Sequence, residues 1–298
     1  MLRSLFAGIS GLRVNQTALD VTGNNIANAN TTGFKSSSTV FQDTLSQMLT
    51  ASSGENAQRG GTNPIQVGLG VQLAATTLNF TQGGTQTTGR ATDLSIQGDG
   101  FFVVNNGQTD LYTRAGAFTF DESGTLVTPD GMRVMGYLGT VDPATGASTV
   151  TPGGPLQPID INAIQAAVTA WGATQTPPVS PELVSYNIGP DGKVMGIFDD
   201  NVQREIAQLA IADFTNPMGL EKVGDTNFRV SANSGDPELG VAGQGGRGDL
   251  AAGTLEMSNV DLSQEFTNLI LAQRGFQASA RVITTSDQVL EELVNIKR

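Results

Sequence analysis

The sequence predicts an α+β fold: long N- and C-terminal helices pair as a coiled coil and flank an antiparallel, barrel-like β domain. At both ends of the chain, apolar residues recur at steps of three and four, which is typical of helices that pack along a seam. From Val71 onward the period changes to two, and glycine-containing turns separate short apolar runs. Such runs are typical of antiparallel strands.

The C-terminal stretch, residues 262–296, carries the longer helical pattern. Asp261 and Gln264 form a potential capping box at its start. A second apolar edge widens its surface beyond what one partner helix would cover, and it consists of Val282, Val289, Leu293 and Ile296. The predicted seam, in which Gln273 and Asp287 fill two positions, otherwise consists of apolar residues: Leu262, Phe266, Leu269, Phe276, Ala280, Ile283, Leu290 and Val294.

The N-terminal stretch has the same periodicity and is the predicted partner. Its seam residues are Leu2, Leu5, Ile9, Leu12, Leu19 and Ile26, together with Gln16 and Gly23, and Phe6 and Val14 add a second edge. Soluble monomers avoid leaving so much apolar surface in water, so we expect identical subunits to bury it. Head-to-tail contacts of this kind produce rings or open helical filaments. The alternative is a two-helix stalk that only closes the chain on itself.

Two polar segments separate the first helix from the β region. The asparagine-rich segment 24–35 either ends the helix or makes contacts between subunits, since asparagine tolerates left-handed backbone and bonds free carbonyls. Residues 40–49 are predicted to form a short helix. Residues 51–64 are a predicted connector.

The β pattern defines the predicted domains. Residues 71–139 and 182–253 form the β domain, and residues 1–70 and 254–298 form the terminal helical domain with its connector. Residues 140–181, rich in Pro, Gly, Ala and Thr, are predicted to be a short insertion. Residues 234–253 are predicted to be a glycine-rich connector.

Composition excludes several classes of function. The formal net charge of −12 argues against partners that reward cationic proteins, namely nucleic acids and anionic membranes. The absence of cysteine and histidine excludes disulfides, thiolate nucleophiles, imidazole bases and His/Cys zinc sites. No run approaches the roughly 18 apolar residues of a membrane span. Arg13 and Asn15 interrupt the N-terminal apolar patch, so we do not expect a cleaved signal peptide.

No enzymatic, cofactor or metal site is predicted. The run Gly243 to Gly248 matches a dinucleotide-binding pattern by its letters, but no strand and helix are predicted around it. The pairs Asp199–Asp200 and Glu291–Glu292 are adjacent in sequence, so their side chains diverge and are expected on solvated faces. A carboxylate glycosidase and a secreted β-fold adhesin with a helical stalk stay open as alternatives of other classes.

Several motifs resemble the bacterial flagellar rod and hook protein family. They lie in segments 24–35, 80–84, 93–102, 112–116, 214–220 and 258–278, in the order of that family. The terminal motif residues are Asn24, Asn25, Asn28, Gly33, Phe34, Lys35, Asn259, Asp261, Gln273 and Arg274. Within the family, residues 79–83, 255–278 and 293–298 look most like hook proteins, and distal rod proteins are the close alternative.

The resemblance implies a structural protein of the flagellum without cofactor or enzymatic activity. The terminal helices would form the inner wall of a hollow helical tube and the β domain its outer layer. In a hook, this tube is a flexible universal joint between rod and filament. The implied partners are further copies of the chain, rod, hook-cap and hook–filament junction proteins, and the type III export apparatus. The implied location is the extracellular hook or basal body, reached without a cleaved signal peptide.

Overall fold

The computed structural model describes residues 2–55, 60–142, 147–173, 181–200 and 202–296. The chain divides into two compact units. The terminal unit comprises Met1–Ala29, Ser36–Asn79 and Val260–Arg298, and the central unit comprises Asn30–Lys35 and Phe80–Asn259. The predicted fold class is confirmed, because helices lie at both ends of the chain and a largely antiparallel β region lies between them.

The described residues form three α-helices and twenty-two strands. The helices are α1 (Leu2–Ala27), α2 (Ile161–Ala173) and α3 (Leu262–Ile296). The strands up to residue 113 are β1 (Ser37–Asp43), β2 (Ser46–Thr50), β3 (Ile65–Gly68), β4 (Val71–Leu78), β5 (Thr85–Thr87), β6 (Leu94–Gln97), β7 (Phe101–Asn105) and β8 (Asp110–Thr113). The next are β9 (Thr119–Phe120), β10 (Leu126–Val127), β11 (Arg133–Val141), β12 (Ser148–Val150), β13 (Gln157–Pro158), β14 (Leu183–Ile188), β15 (Lys193–Phe198) and β16 (Gln203–Leu209). The last are β17 (Ile211–Asp213), β18 (Glu221–Gly224), β19 (Asn227–Arg229), β20 (Glu238–Gly240), β21 (Asp249–Ala252) and β22 (Thr254–Glu256).

The terminal unit combines α1 and α3 with two strand pairs. β1 pairs with β4 and β2 pairs with β3, both antiparallel. The short helix predicted at residues 40–49 is therefore wrong. Phe41, Leu45 and Met48 recur at helical spacing, but short apolar runs do not distinguish a helix from a strand by period alone. Here the partner strands β3 and β4 supply the backbone hydrogen bonds. The predicted connector 51–64 lies between β2 and β3, and its residues 56–59 are outside the described part.

The central unit is built around one large sheet. Its main path runs β14-β15-β16-β11-β7-β8-β19-β18, and every pair along it is antiparallel. The hairpins of β7 with β8 and of β14 with β15 turn at the predicted Asn106–Gly107 and Asp191–Gly192 positions. Gly107 and Gly192 have φ values of +92° and +78°, which residues with a Cβ rarely adopt.

Both segments predicted to be irregular contribute to the central unit. Residues 140–181 supply β12 and β13, which pair with β11, and α2, whose Ile164 and Val168 lie in the hydrophobic core. Residues 143–146 and 174–180 of that segment lie outside the described residues. The predicted connector 234–253 contains β20 and β21, which pair with β17 and β6. These strands are short and rich in small residues, so their own sequences carry little strand signal.

The core of the central unit lies beneath this sheet. Its aromatic members meet edge to face, as in the Phe102–Phe118 pair, whose ring centroids are 5.1 Å apart. The most deeply buried members are Leu94, Ile96, Phe102, Val104, Phe118, Leu126, Val134, Ile159, Val168, Val194, Ile206, Leu209 and Ile211. All members of this core lie in the central unit.

Candidate assembly surface

The two terminal helices pack against each other through small residues. A Cβ added to Gly8 would lie 3.0 Å from Cγ1 of Ile283, and one added to Gly11 would lie 2.8 Å from Oγ of Ser279. On α3, a Cβ at Gly275 would lie 2.6 Å from Oδ1 of Asn15. Glycine therefore lets the two backbones approach closely along this contact.

The contact differs in register from the predicted seam. The buried residues of α1 are Gly8, Gly11, Val14, Ala18, Thr22 and Asn25. Of the predicted α1 residues, Leu5, Leu12, Leu19 and Ile26 are half-buried and Ile9 is exposed; the side chain of Leu2 is outside the described part. On α3, Leu269, Ile283 and Leu290 are half-buried. The larger apolar residues lie beside the close contact because their volume does not fit between the backbones.

Much of the apolar surface of the helices is consequently open to solvent. Phe6 is 66% exposed, Phe266 is 51% exposed and Val294 is 66% exposed. The other large apolar residues exposed on α1 and α3 are Ile9, Leu262, Ile270, Leu271, Phe276, Val282, Val289, Leu293 and Ile296. Exposed apolar surface of this extent marks a candidate site of protein–protein contact.

The asparagine-rich segment ends α1 and fastens it to the first strand. Asn25 is buried; its Nδ2 donates to the carbonyl of Ser37 (2.8 Å), and its Oδ1 accepts from the backbone N–H of Ser37 (3.0 Å). Asn28 donates to the carbonyl of Asn24 at 2.9 Å, and Asn24 itself is exposed. The helix-terminating interpretation of this segment thus accounts for Asn25 and Asn28.

The next motif residues, Gly33 to Lys35, enter the central unit at a buried ionic cluster. Nζ of Lys35 donates to Oε1 of Glu256 at 2.6 Å and to the carbonyl of Thr81 at 2.9 Å. The guanidinium of Arg114 lies 3.5 Å from the second carboxylate oxygen of Glu256. All three charged side chains are at most 3% exposed. The carboxylate of Glu256 thus contacts both buried cations, and the charges of Asp99 and Asp213 also stabilise the charged form of Arg114.

Burial dominates the electrostatics of this cluster. It lowers the pKa of the Lys35 ammonium below its usual value, although the hydrogen bond from Lys35 to Glu256 opposes that shift. The backbone N–H of Gly83 also donates to Oε1 of Glu256 at 3.0 Å. Lys222 donates to the carbonyl of Lys35, and its ammonium lies 4.6 Å from the ring centroid of Phe34. The Gly-Phe-Lys motif therefore anchors the segment after α1 in the central unit.

The remaining motif residues lie just before α3 or within it. Oδ1 of Asp261 accepts from the backbone N–H groups of Ser263 (2.9 Å) and Gln264 (3.3 Å), which confirms the predicted N-cap. The side chain of Gln264 donates to the side chain of Asn268 within the helix. This contact replaces the return hydrogen bond from Gln264 to the backbone of Asp261 that the predicted capping box would contain. Asn259 donates to the carbonyl of Thr81. Gln273 and Arg274 are exposed on α3.

The candidate chemical motifs occupy structural positions. Residues 243–248 lie in turns between β20 and β21, without the helix inside the motif that a dinucleotide site requires. Asp199 and Asp200 are exposed, as expected, and Asp200 also accepts a bidentate ion pair from the buried Arg204, at 2.6 and 3.0 Å. In the described ranges, no cluster of three or more acidic side chains could hold a metal ion. Within the same ranges, no helix combines the length and apolar character of a membrane span.

Together, the two terminal helices with an exposed apolar surface and a separate β unit define a structural subunit. Three family models match this chain: "Flagella basal body rod protein" over residues 5–35, "Flagellar hook protein FlgE/F/G D1 domain" over residues 95–196 and "Flagellar basal body rod FlgEFG protein C-terminal" over residues 251–296. The chain belongs to the flagellar rod and hook protein family, which is a family of structural proteins and not of enzymes.

Individual relatives support both branches of the family. The chain is 42% identical to a flagellar basal-body rod protein FlgG of Bacillus subtilis over 299 residues, which covers 100% of both chains. It is 32% identical to a flagellar hook protein FlgE of Borreliella burgdorferi over 441 residues, and 33% identical to the FlgG rod protein of that organism over 302 residues. Each of these alignments also covers 100% of both chains.

Proposed function

We propose that this protein polymerises through its terminal unit into a hollow tube that forms part of the flagellar axis. The supporting observation is the apolar surface on α1 and α3, which one chain leaves exposed although its two helices are already packed together. Further copies of the chain would bury this surface. The α1 and α3 helices would form the inner wall, and the central unit would form the outer layer.

Within the family, we propose the hook as the structure that this chain builds, with the rod as the second candidate. The motif resemblance of residues 79–83 and 255–278 favours the hook. The alignment lengths favour the rod: the chain and the B. subtilis rod protein match over 299 residues, whereas the 441-residue hook alignment includes segments that this chain lacks. A hook would form curved, flexible tubes, and a rod would form straight, stiff ones.

The proposed route and partners follow from this function. Subunits would leave the cell through the type III export channel without a cleaved signal peptide and assemble outside the inner membrane. Their neighbours would be rod, hook-cap and hook–filament junction proteins. No enzymatic step is part of the proposal, and the role of the chain would be mechanical.

Electron microscopy of the concentrated, purified protein tests the proposal. We expect tubes, curved for a hook and straight for a rod. The variant Phe266→Ser/Ile270→Ser removes two exposed apolar side chains of α3 and should abolish tubes while the circular dichroism spectrum is unchanged. The matched control is Val184→Ser/Val223→Ser, which removes equally exposed apolar residues of the central unit and should still assemble. Tubes from the α3 variant, or none from the unaltered chain, would reject the proposal.

A further inference from the structure

The register of the two terminal helices leaves the end of α3 without a partner among the described residues of α1. Hydroxyl oxygens of Ser4 and Ser286 lie 3.3 Å apart, and Gly11 and Asn15 contact Ser279 and Gly275. Each step forward along α1 thus corresponds to one step back along α3. Extended to the first described residue of α1, this register reaches Gln288. Residues 289–296, here called the overhang, run for about 12 Å beyond the described part of α1.

The overhang is apolar on one side. Val289, Leu293 and Ile296 follow each other at helical spacing, and they are 42%, 48% and 81% exposed. Val294, beside them, is 66% exposed. Glu291 and Glu292 are also exposed and stand between these residues. Two turns of helix therefore present an apolar stripe with a carboxylate border.

A groove of matching character lies elsewhere on the terminal unit, between α1 and the start of β4. The hydroxyl of Ser10 accepts a hydrogen bond from the backbone N–H of Val71 at 3.3 Å, which fixes the strand to the helix. Arg13 also lines the groove. Its apolar lining consists of Phe6, Ile9, Val14, Leu69, Val71 and Leu73. All of these except Val14 and Val71 are more than a third exposed.

We propose that the overhang of one copy docks into the α1–β4 groove of a second copy, with Glu292 facing Arg13. This inference rests on the proposed function and specifies one of its contacts. The overhang does not reach the groove of its own chain: Ile9 lies opposite Arg281 in the register, and Leu293 is about 18 Å farther along the helix. The contact joins two different surfaces and is therefore head-to-tail, which generates a ring or an open helical polymer.

Charge complementarity supports the second copy as the occupant. Arg3 and Arg13 are the only charged residues before Asp20, so the helix face that borders the groove is basic. On the overhang, Glu292 lies within one helical turn of Val289 and Ile296, so a carboxylate borders its apolar stripe. Opposite charges at the border of an apolar contact fix its orientation and disfavour the contact of two like surfaces.

Cysteine crosslinking tests this contact directly, because the chain contains no cysteine of its own. Ile9→Cys, carrying a mass tag, and Leu293→Cys, untagged, are mixed, assembled and oxidised. We expect a disulfide-linked species of mixed mass that forms only under assembly conditions, because a disulfide requires Cα atoms within about 7 Å. The control mixture pairs Ile9→Cys with Gln277→Cys, which is exposed on α3 outside the overhang, and should give no mixed species.

A charge exchange provides a second test that needs no cysteine. Arg13→Glu and Glu292→Arg should each raise the critical concentration for assembly about tenfold, and the combined variant should restore it. Tubes that form without the mixed disulfide and without rescue would overturn the docking contact while leaving the proposed function intact. An unaltered chain that never assembles would overturn both.

Discussion

At the scale of single residues, the least predictable feature is the cluster of Lys35, Arg114 and Glu256. Lys35 belongs to a recognisable motif, but Glu256 is 221 positions away and carries no local signal of its role. Only the closed central unit brings the carboxylate to both cations. An isolated buried charge is costly, so each member of the cluster is stable only in the presence of the others.

We expect substitutions of Glu256 and Lys35 to lower the free energy of unfolding by different amounts. Glu256→Gln removes the one carboxylate that forms ion pairs with both Lys35 and Arg114, so we expect it to lower the free energy of unfolding by about 3–5 kcal/mol. Lys35→Met keeps the contact of Arg114 with Glu256 and should lower the free energy of unfolding by less, about 1–3 kcal/mol. Urea denaturation measures both values.

The matched control for the cluster is an exposed ion pair. Glu221 accepts from Arg229 at 2.7 Å, and both side chains are more than half exposed. Glu221→Gln should change the free energy of unfolding by less than about 1 kcal/mol. Equal decreases in the free energy of unfolding for Glu256→Gln and Glu221→Gln would contradict the proposed importance of burial.

Because the phenol of Tyr112 is buried, we expect the protein to lose stability at alkaline pH. Burial, assisted by the charge of Asp110, raises the pKa of its phenol to about 12. The unfolded chain, whose tyrosines titrate near about 10, releases this proton first, so stability should fall between about pH 10 and 12 by roughly 3 kcal/mol. Tyr112→Phe should remove this part of the pH dependence. A phenolate absorbance change at 295 nm that is complete by pH 11 would contradict the assignment.

At the scale of elements, the terminal helices were predictable and their exact contact was not. The periodic spacing of large apolar residues predicts both helices, because it indicates which face of each helix avoids water. It does not reveal that Gly8, Gly11 and Gly275 form the closest approach, because glycine adds nothing to an apolar pattern. The strand pairs β1–β4 and β2–β3 were missed for a related reason: their hydrogen bonds come from distant partners.

The close approach of the helices predicts opposite effects at two glycines of α1. Gly8→Leu should separate α1 from α3 and destabilise the helix pair by about 1–3 kcal/mol, because its side chain would overlap Ile283. At Gly23 an added Cβ meets nothing within 4 Å, so Gly23→Ala should stabilise the helix by up to about 1 kcal/mol. Amide hydrogen exchange of α3 measures both effects, and equal protection in the two variants would contradict this packing.

At the scale of the whole molecule, charge is divided unevenly between the two units. The terminal unit contains seven basic and eight acidic residues, a formal net charge of −1. The central unit contains nine basic and twenty acidic residues, a formal net charge of −11. Central units that approach one another in an assembly should therefore repel, whereas terminal units should not.

This uneven charge predicts that assembly depends on ionic strength. Raising NaCl from about 10 to about 150 mM shortens the screening length from about 30 to 8 Å and should lower the critical concentration for assembly. Glu122→Gln/Asp130→Asn/Glu182→Gln should weaken this dependence in a sedimentation assay. The control Asp20→Asn/Asp43→Asn/Glu55→Gln makes the same charge change in the terminal unit and should have less effect. Equal effects of the two triple variants would contradict the assignment of repulsion to the central unit.

The sequence by itself determined the terminal helices, the antiparallel hairpins at Asn106–Gly107 and Asp191–Gly192, and the membership in the rod and hook family. These features depend on local periodicity, turn chemistry and motif order, which the linear chain carries directly. The tertiary structure alone decided the glycine contact of the helices, the strands at residues 37–50 and 238–252, and the pairing of Lys35 with Glu256. Those features depend on which distant atoms meet, because hydrogen bonds, close approach and compensated charge require a partner that sequence spacing does not specify.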